Sequence, residues 1–369
     1  MVKDSNNIQA AEVVLACSDL EETLAFFVET LQFQIDSIFP ADAPAVAIIS
    51  GYGIRLRLDC HAKSKPATLR LYCRTPSAVT DGNRCLRAPN GTEIKLEAVE
   101  NELQLPPVVQ SLVLSRLDSS TSWVVGRAGM RYRDLIPGRQ GGRFIASHIH
   151  IPTGGPVPDY VHYHNIRFQL IFCCRGWAKL VYEDQGNEFI LKAGDCVLQP
   201  PQIRHRVLEC SDNMEVVEIG CPAEHETHAD REMNLPTETF DEQRLFKGQR
   251  FVRHQAKTAS SGKWRIDGYE CQDTGIGAAT SGLAGVRIVR PHLVPSAQPS
   301  SHVAEFVFFF VLKGSVTVEL TGRGTEQFNR GDSVVLPSNF SFTLVEPTQD
   351  LELLEVTLPD IVEALAPAA

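Results

Sequence analysis

The stretch Pro158-Asp-Tyr-Val-His162-Tyr-His164-Asn-Ile-Arg-Phe-Gln169, completed by Gln199-Pro-Pro-Gln-Ile-Arg-His205, decides the interpretation of this chain. Because side chains alternate along a strand, His162 and His164 lie on one face. Gln169 follows on the returning strand, and His205 comes from a distant segment. Three imidazoles and one amide oxygen form a compact set of nitrogen and oxygen ligands for a divalent metal ion.

These residues resemble the two sequence motifs of the cupin superfamily. The first motif runs glycine, His-x-His, glutamate and glycine, and the matching positions are Gly155, His162, His164, Gln169 in place of the glutamate, and Gly176. The second runs glycine, proline, glycine and histidine, and the matching positions are Gly194, Pro200, Gln202 in place of the second glycine, and His205. The resemblance implies a jelly-roll barrel whose metal ion is held by His162, His164 and His205, with Gln169 as a fourth ligand.

The amide at Gln169 removes one negative charge and a potential base from such a site, while it keeps an oxygen donor. A centre of three neutral imidazoles can hold Fe(II), Mn(II), Ni(II), Co(II) or Zn(II), and the ligand types alone do not separate these ions. The alternative is a barrel that keeps its histidines as polar filling without a metal.

The pattern of strands and turns occurs twice in the chain. Gly176 and Gly314 are 138 residues apart, and the Gly-Asp turns at Gly194 and Gly331 are 137 apart, which indicates a duplicated domain. In the second copy, the four ligand positions hold Ser300, His302, Val307 and Phe342. We therefore expect the second barrel to be packed shut without a metal. Residues 306–311 are expected to supply part of a core between the two barrels.

The predicted fold class is mainly β, with two tandem cupin jelly-roll barrels after a small α+β module. The predicted segments are a glyoxalase-like module (1–105), a metal-binding barrel (106–223), a connector (224–262) and a degenerate barrel (263–369). The connector is expected to hold one short helix around 241–247, and its run Glu224-His-Glu-Thr-His228 is interpreted as a charged turn.

The N-terminal module resembles half of the vicinal-oxygen-chelate, or glyoxalase, family. The similar stretches are its opening strand and helix, from Glu12 to Phe27, and its closing strand, Asn90-Gly-Thr-Glu-Ile-Lys-Leu. In that family the first strand often begins with a metal-binding histidine and the last carries a glutamate, whereas this chain has Glu12 and Lys95. A role in docking, dimerisation or shaping the barrel entrance is therefore expected, rather than a working glyoxalase centre.

Composition limits the class of protein. The 369 residues are 43% hydrophobic and 22% charged, with a formal net charge of −10, so a disordered chain and strong nucleic-acid binding are excluded. The start lacks the apolar stretch of a secretory signal, and the ten cysteines contain no Cys-x-x-Cys pair. We therefore expect a soluble, cytoplasmic protein that does not associate with a membrane. We expect it to bind a small molecule and to be capable of forming a homo-oligomer.

The favoured function is a metal-dependent enzyme, of dioxygenase type and with iron as the favoured ion, that acts on a small acidic or enolic metabolite. The layout resembles the two-barrel gentisate and quercetin dioxygenases, and in the gentisate type the glutamate position also lacks a carboxylate. Arg204 or Arg167 would orient an acidic substrate. The alternative for Arg204 is that its side chain points outward. Tyr163 would meet the substrate or serve as a base, as would His148 and His150 if their strand face is inward. The alternatives are a Zn- or Mn-dependent isomerase or hydrolase, and a non-catalytic binding protein.

Overall fold

Alternating apolar residues give short strands through most of the chain. The computed structural model describes residues 9–80, 82–99, 103–118, 121–126, 129–293, 297–362 and 364–365. They form two units, Met1–Gln104 and Leu105–Ala369. None of the described helices has the length and apolar character that a bilayer-spanning helix requires.

The first unit is a small α+β module. Its strands are β1 (Val13–Ala16), β2 (Gln34–Phe39), β3 (Val46–Gly51), β4 (Ile54–Asp59), β5 (Thr68–Cys73), β6 (Cys85–Arg87) and β7 (Glu93–Ala98). They form two sheets with the orders β1-β4-β3-β2 and β5-β7-β6. A 3₁₀ turn at Pro76–Ala78 lies between β5 and β6.

Helix α1 (Leu20–Ala25) follows β1 and continues as a π-helical turn, Phe26–Thr30. The Asp19 side chain accepts a hydrogen bond from the Glu22 backbone N–H at 2.9 Å, so Asp19 is the N-cap of this helix. Leu15, Phe27 and Leu58 belong to a buried core shared by the helix and the sheets. The module has the α+β composition that the sequence predicts, and its likeness to the glyoxalase family stays a prediction.

The first barrel consists of two facing sheets. Its strands are β9 (Val124–Val125), β10 (Arg131–Asp134), β11 (Ile145–Ile151), β12 (Gly155–Pro156), β13 (His162–His164), β14 (Phe168–Arg175), β15 (Trp177–Tyr182), β16 (Phe189–Lys192), β17 (Cys196–Leu198), β18 (His205–Cys210), β19 (Met214–Cys221) and β20 (Thr227–Ala229). A separate hairpin of β21 (Leu245–Phe246) and β22 (Gln249–Arg250) follows, and β23 (Val252–His254) then joins the first barrel as an edge strand. The sheet orders are β23-β17-β14-β19-β11-β10-β9 and β16-β15-β18-β13-β20, and β12 also pairs with β18. A helical turn, α2 (Arg139–Gly142), precedes β11.

The second barrel repeats this plan. Its strands are β24 (Ser261–Lys263), β25 (Tyr269–Asp273), β26 (Gly285–Pro291), β27 (Ser301–His302), β28 (Phe306–Lys313), β29 (Ser315–Leu320), β30 (Gly324–Asn329), β31 (Ser333–Val335), β32 (Phe342–Val345), β33 (Glu352–Leu358) and β34 (Ala364–Leu365). They form sheets of order β24-β25-β26-β33-β28-β31, β30-β29-β32 and β27-β34, and α3 (Ile276–Ala279) precedes β26. The predicted fold class, mainly β with two tandem jelly-roll barrels after a small α+β module, is confirmed.

The two large sheets pack face to face and bury a core between the barrels. From the first barrel, Phe172 contributes to this core, and from the second, Phe308 and Phe310. The rings of Phe144 and Phe306 stack with centroids 4.2 Å apart. Each fully buried side chain of this kind stabilises the fold by about 1.5–3 kcal/mol, so the barrels hold each other in place. The predicted contribution of residues 306–311 to this core is confirmed.

In each large sheet, one edge strand comes from a segment that the sequence analysis assigns to a different part of the chain. A short strand, β8 (Val113–Ser115), pairs with β31 of the second barrel, although it lies in the segment 106–223 that is predicted to form the first barrel. Conversely, β23 pairs with β17 of the first barrel, and β20 pairs with β13, although both strands lie in the predicted connector. The boundaries at 106, 224 and 263 stay predictions, and this exchange of edge strands is a feature that periodicity did not predict.

The predicted short helix at 241–247 is wrong, because this segment ends in the hairpin of β21 and β22. Lys247 and Gly248 connect the two strands with φ values of 49° and 86°. Two successive residues with positive φ make a tight hairpin turn whose twist matches that of the flanking strands.

Candidate metal centre

Three histidines converge inside the first barrel. His162 and His164 alternate with Tyr163 along β13, and the antiparallel pairing with β18 places His205 directly opposite His162. Each ring offers one ligand nitrogen, and the three nitrogens lie within 4.8 Å of one another. His162 and His205 are buried and His164 is half-buried. This group can hold a metal ion.

Hydrogen bonds behind the rings fix their orientation. The Nδ1 atoms of His162 and His205 lie 2.8 and 3.0 Å from the carbonyl oxygen two residues earlier, to which an Nδ1–H donates. The Nδ1 atom of His164 lies 3.0 Å from the Thr227 hydroxyl. With Nδ1 used in this way, Nε2 is the ligand nitrogen of each ring. This arrangement, an outer partner on one nitrogen and the metal on the other, is the usual one for histidine ligands.

The fourth predicted ligand, Gln169, is buried on β14 beside Glu218 of β19. Gln169 Nε2 donates to Glu218 Oε1 at 2.7 Å. Gln169 Oε1 is also buried, and it has no hydrogen-bond partner among the described residues. A buried oxygen without a partner costs stability unless something else satisfies it. The three imidazoles by themselves fit a divalent transition metal, and the role of Gln169 as a fourth ligand stays a prediction.

A cavity of about 380 Å³ surrounds the histidines. Its walls are mainly apolar, and Gln169, Gln199 and Glu218 belong to the same lining as the histidines. The Tyr182 ring lies over His205 with centroids 5.4 Å apart, and burial raises the pKa of its hydroxyl well above the usual range. The site thus combines a few polar groups with apolar walls, as small-molecule sites do.

His148 and His150 do not line this cavity, which corrects one of the predictions. Along β11, Ser147 and Ile149 face the cavity, so the even-numbered residues face the opposite way. His148 is buried between the barrels, with its ring 5.5 Å from that of Phe310, and burial lowers its pKa. His150 lies against Trp123, at a ring distance of 6.0 Å.

Arg204 and Tyr163 also lie outside the described lining, because both point to the outer face of their strands. Arg204 Nε forms an ion pair with Asp230 Oδ2 at 3.1 Å, and its guanidinium lies 4.1 Å from the centroid of the Tyr163 ring. The Tyr163 ring also stacks on that of His228, with centroids 5.0 Å apart. This is the outward orientation that the sequence analysis left open for Arg204.

Arg167 lies between the barrels rather than in the cavity. Its Nη1 atom lies 3.2 Å from both carboxylate oxygens of Glu305, and Arg143 pairs with the same carboxylate at 2.6 Å. Both arginines therefore link the first barrel to the second.

Three residues of the site were missed by the sequence analysis. Glu218 lies on β19 with the same inward parity as Ile171, which is its antiparallel partner on β14. His225 and Thr227 belong to the run interpreted as a charged turn, but β20 brings Thr227 to His164, and His225 lines the cavity. The inward parity of Glu218 could have been detected from the second copy, which has Glu355 at the same offset; no local signal marks β20.

Comparisons with known proteins give matches of structure alone. No family model matches the chain, and no curated protein matches it in sequence. An oxalate decarboxylase variant of Bacillus subtilis has a TM-score of 0.48 at 12% identity, covering 68% of this chain and 78% of its own. The oxalate decarboxylase of Lactobacillus farciminis with formate has 0.48 at 14%, covering 73% and 90%. Salicylate 1,2-dioxygenase of Pseudoaminobacter salicylatoxidans with gentisate has 0.48 at 17%, covering 67% and 80%. The two-barrel architecture is defined by the strand orders above, independently of these similarities.

Proposed function

We propose that this protein is a metal-dependent enzyme, an oxidoreductase of dioxygenase type, that acts on a small organic molecule through a hydroxyl or enol oxygen. One observation carries the proposal: His162, His164 and His205 bring three ligand nitrogens within 4.8 Å of one another inside a cavity of about 380 Å³. Three protein nitrogens leave further coordination positions for a substrate and for O₂.

The side chains around the centre have separate tasks. A bound redox-active ion such as iron would supply the Lewis acid and the electrons for reaction with O₂. Glu218 can accept the proton of a substrate hydroxyl at its carboxylate, and the Gln169 amide holds that carboxylate in place at 2.7 Å. The apolar walls exclude water from the reacting end of the substrate, which strengthens these polar contacts.

A second candidate is a Zn- or Mn-dependent isomerase or hydrolase, in which the metal polarises a carbonyl group. The observation that favours it is the Glu218 carboxylate in the cavity lining, because such a reaction needs a base beside the metal. The predicted bases His148, His150 and Tyr163 are not used in this proposal, since their side chains lie elsewhere.

Metal analysis of the purified protein, combined with oxygen uptake on a panel of catechols, separates these functions. Bound iron with oxygen uptake supports the dioxygenase. Bound zinc or manganese, with turnover that is independent of oxygen, supports the second candidate. A metal-free protein that binds ligands without turnover contradicts both and supports a binding protein.

Two histidine variants control this experiment. His162→Ala removes a predicted ligand and should abolish metal binding and activity together. His292→Ala removes an exposed imidazole that lies 3.5 Å from Glu270, outside the described cavity lining, and should change neither. If both variants keep their metal, the centre is not where we place it.

A further inference from the structure

We infer that the substrate of this cavity is an electrically neutral molecule with an apolar body and a hydroxyl group at the metal end. The inference rests on the proposed function for the location of the reacting end. It concerns the charge of the substrate, which the metal centre alone does not decide.

The first support is the charge of the lining. Among the described residues, neither lysine nor arginine lines the cavity, whereas two carboxylates, Asp159 and Glu218, do. A carboxylate bound away from the metal would lose its hydration inside the chamber and find no cationic side chain to replace it. Burying an unpaired charge in this way is strongly unfavourable.

The second support is that Arg204 and Arg167, the two arginines that the sequence pattern suggests for binding an acidic substrate, have other partners. Arg204 is held outside by Asp230 and by the face of Tyr163, and Arg167 is held by Glu305 of the second barrel. Turning either guanidinium toward the cavity would break an ion pair and leave the partner carboxylate unpaired. Neither arginine is therefore available to bind an acidic group.

The third support is the composition of the lining. Most of its residues are apolar, among them Ile149, Leu180 and Leu191. Three of its polar residues lie together, because the Gln199 backbone N–H donates to the Gln169 carbonyl oxygen and the Gln169 side chain donates to Glu218. Apolar walls contribute to binding in proportion to the apolar area that they cover. The geometry thus suits a molecule that is polar only where it meets the histidines.

A matched pair of probes tests this inference. The compounds 4-methylcatechol and 3,4-dihydroxybenzoate share the ring and the diol, and they differ by a methyl group in place of a carboxylate. Their dissociation constants would be measured by calorimetry on the full chain, with metal and after metal removal. We expect the methyl compound to bind at least about tenfold more tightly in both states. Equal or tighter binding of the carboxylate, or no binding of the methyl compound at millimolar concentration, overturns the inference.

Three variants sharpen the test. Glu218→Gln removes one negative charge from the lining and should reduce the preference for the neutral probe. Ile171→Arg adds a cation to the wall and should reverse the preference, provided that circular dichroism shows a folded chain. Arg204→Ala should leave the ratio unchanged; if it weakens only the carboxylate probe, Arg204 reaches the cavity and the inference is wrong.

The outcome for the inference is separable from the outcome for the proposed function. A protein that binds no metal but still prefers the neutral probe contradicts the metal-dependent enzyme and supports the inferred substrate charge. A metal-loaded protein that prefers the carboxylate probe contradicts the inferred substrate charge and leaves the metal-dependent enzyme supported.

Discussion

The two barrels have the same pairing of strands in their large sheets, but their interiors differ in how much space they leave. The first contains a cavity of about 380 Å³, whereas the space between Phe309, Val316 and Phe328 in the second is about 10 Å³. A separate pocket of about 170 Å³ lies beside Trp264, Arg265 and Glu355 of the second barrel. The phenylalanine-lined part of the second barrel is therefore closed, as the sequence predicts. This difference also shows that a few side chains, on a common backbone plan, separate a chamber from a solid core.

Equivalent positions can be identified from the pairing alone. Leu191 lies opposite Ala178 in the first barrel as Phe328 lies opposite Val316 in the second. In the same way, Ile171 lies opposite Glu218 as Phe309 lies opposite Glu355, and His162 lies opposite His205 as Ser300 lies opposite Phe342. At three inward positions, the second barrel therefore has a phenylalanine where the first has isoleucine, leucine or a predicted ligand. These rings fill the chamber.

The equivalent glutamates also differ in their partners. Glu355 is fully buried, forms an ion pair with Arg265 and accepts a hydrogen bond from Trp264 Nε1 at 2.8 Å. Glu218 has no ion pair among the described residues, and its hydrogen-bond donor is the Gln169 amide. The carboxylate of the second barrel is paired with a cation, whereas that of the first barrel lines the cavity.

The largest expected effect comes from making the first barrel resemble the second at one ligand. His205→Phe introduces the residue of the second barrel, Phe342, and should lower metal affinity by roughly 1,000-fold, because a ring nitrogen is lost. Metal content after dialysis measures this effect, and circular dichroism checks the fold. Full metal content in this variant would show that His205 is not a ligand.

The next effect concerns the equivalent glutamates. Glu355→Gln leaves the Arg265 charge without its partner and should lower the free energy of unfolding by roughly 3–5 kcal/mol. Glu218→Gln, the matched change in the first barrel, should cost about 1 kcal/mol or less, because an amide can still accept from Gln169. Urea unfolding followed by fluorescence measures both. Equal losses would contradict the different roles of the two carboxylates.

A smaller effect concerns His302, which occupies the position of His164. Its Nε2 lies 3.1 Å from the Leu336 carbonyl oxygen, its Nδ1 accepts from the Ala304 N–H, and burial lowers its pKa to about 4. Since the unfolded chain has the ordinary histidine pKa of about 6.5, it takes up a proton that the folded chain excludes between pH 6.5 and 4. Stability should therefore fall by roughly 3 kcal/mol as pH decreases through this range.

The variant His302→Gln isolates this contribution from those of other titrating groups. Its free energy of unfolding should depend less steeply on pH than that of the wild type between pH 6.5 and 4. Identical slopes would mean that His302 is not buried in its neutral form.

The smallest expected effect comes from narrowing the chamber without changing its polar residues. Leu191→Phe introduces the ring of the second barrel and should weaken the binding of 4-methylcatechol by about tenfold, with metal content unchanged. Leu245→Phe, on an exposed hairpin residue, is the matched control and should have no effect. Unchanged affinity in Leu191→Phe would show that the probe does not occupy this chamber.

The sequence carried enough information for the barrels and for the predicted ligands, because these depend on local patterns. Alternation placed His162 and His164 on one face, and the spacing of the Gly-Asp turns revealed the duplication. Gln202, in a motif position where cupins have glycine, has a φ of 66°, so the backbone geometry that this motif requires is present without the glycine.

The rest depended on contacts between distant segments. The direction in which Arg204 and His148 point is decided by the faces of β18 and β11, and periodicity gives the parity of a strand but not which face is inward. The exchange of residues 113–115 into the second barrel joins segments more than 200 residues apart, for which no local pattern exists. Thr227 also lies beside His164 because of a contact between distant segments, so no local pattern predicts its position.

The most direct test is anomalous diffraction from crystals of the protein soaked with manganese. The account predicts one strong peak in each chain, at bonding distance from His162, His164 and His205, and no peak beside His302. A strong peak in the second barrel, or an empty first barrel at full soaking, would contradict it.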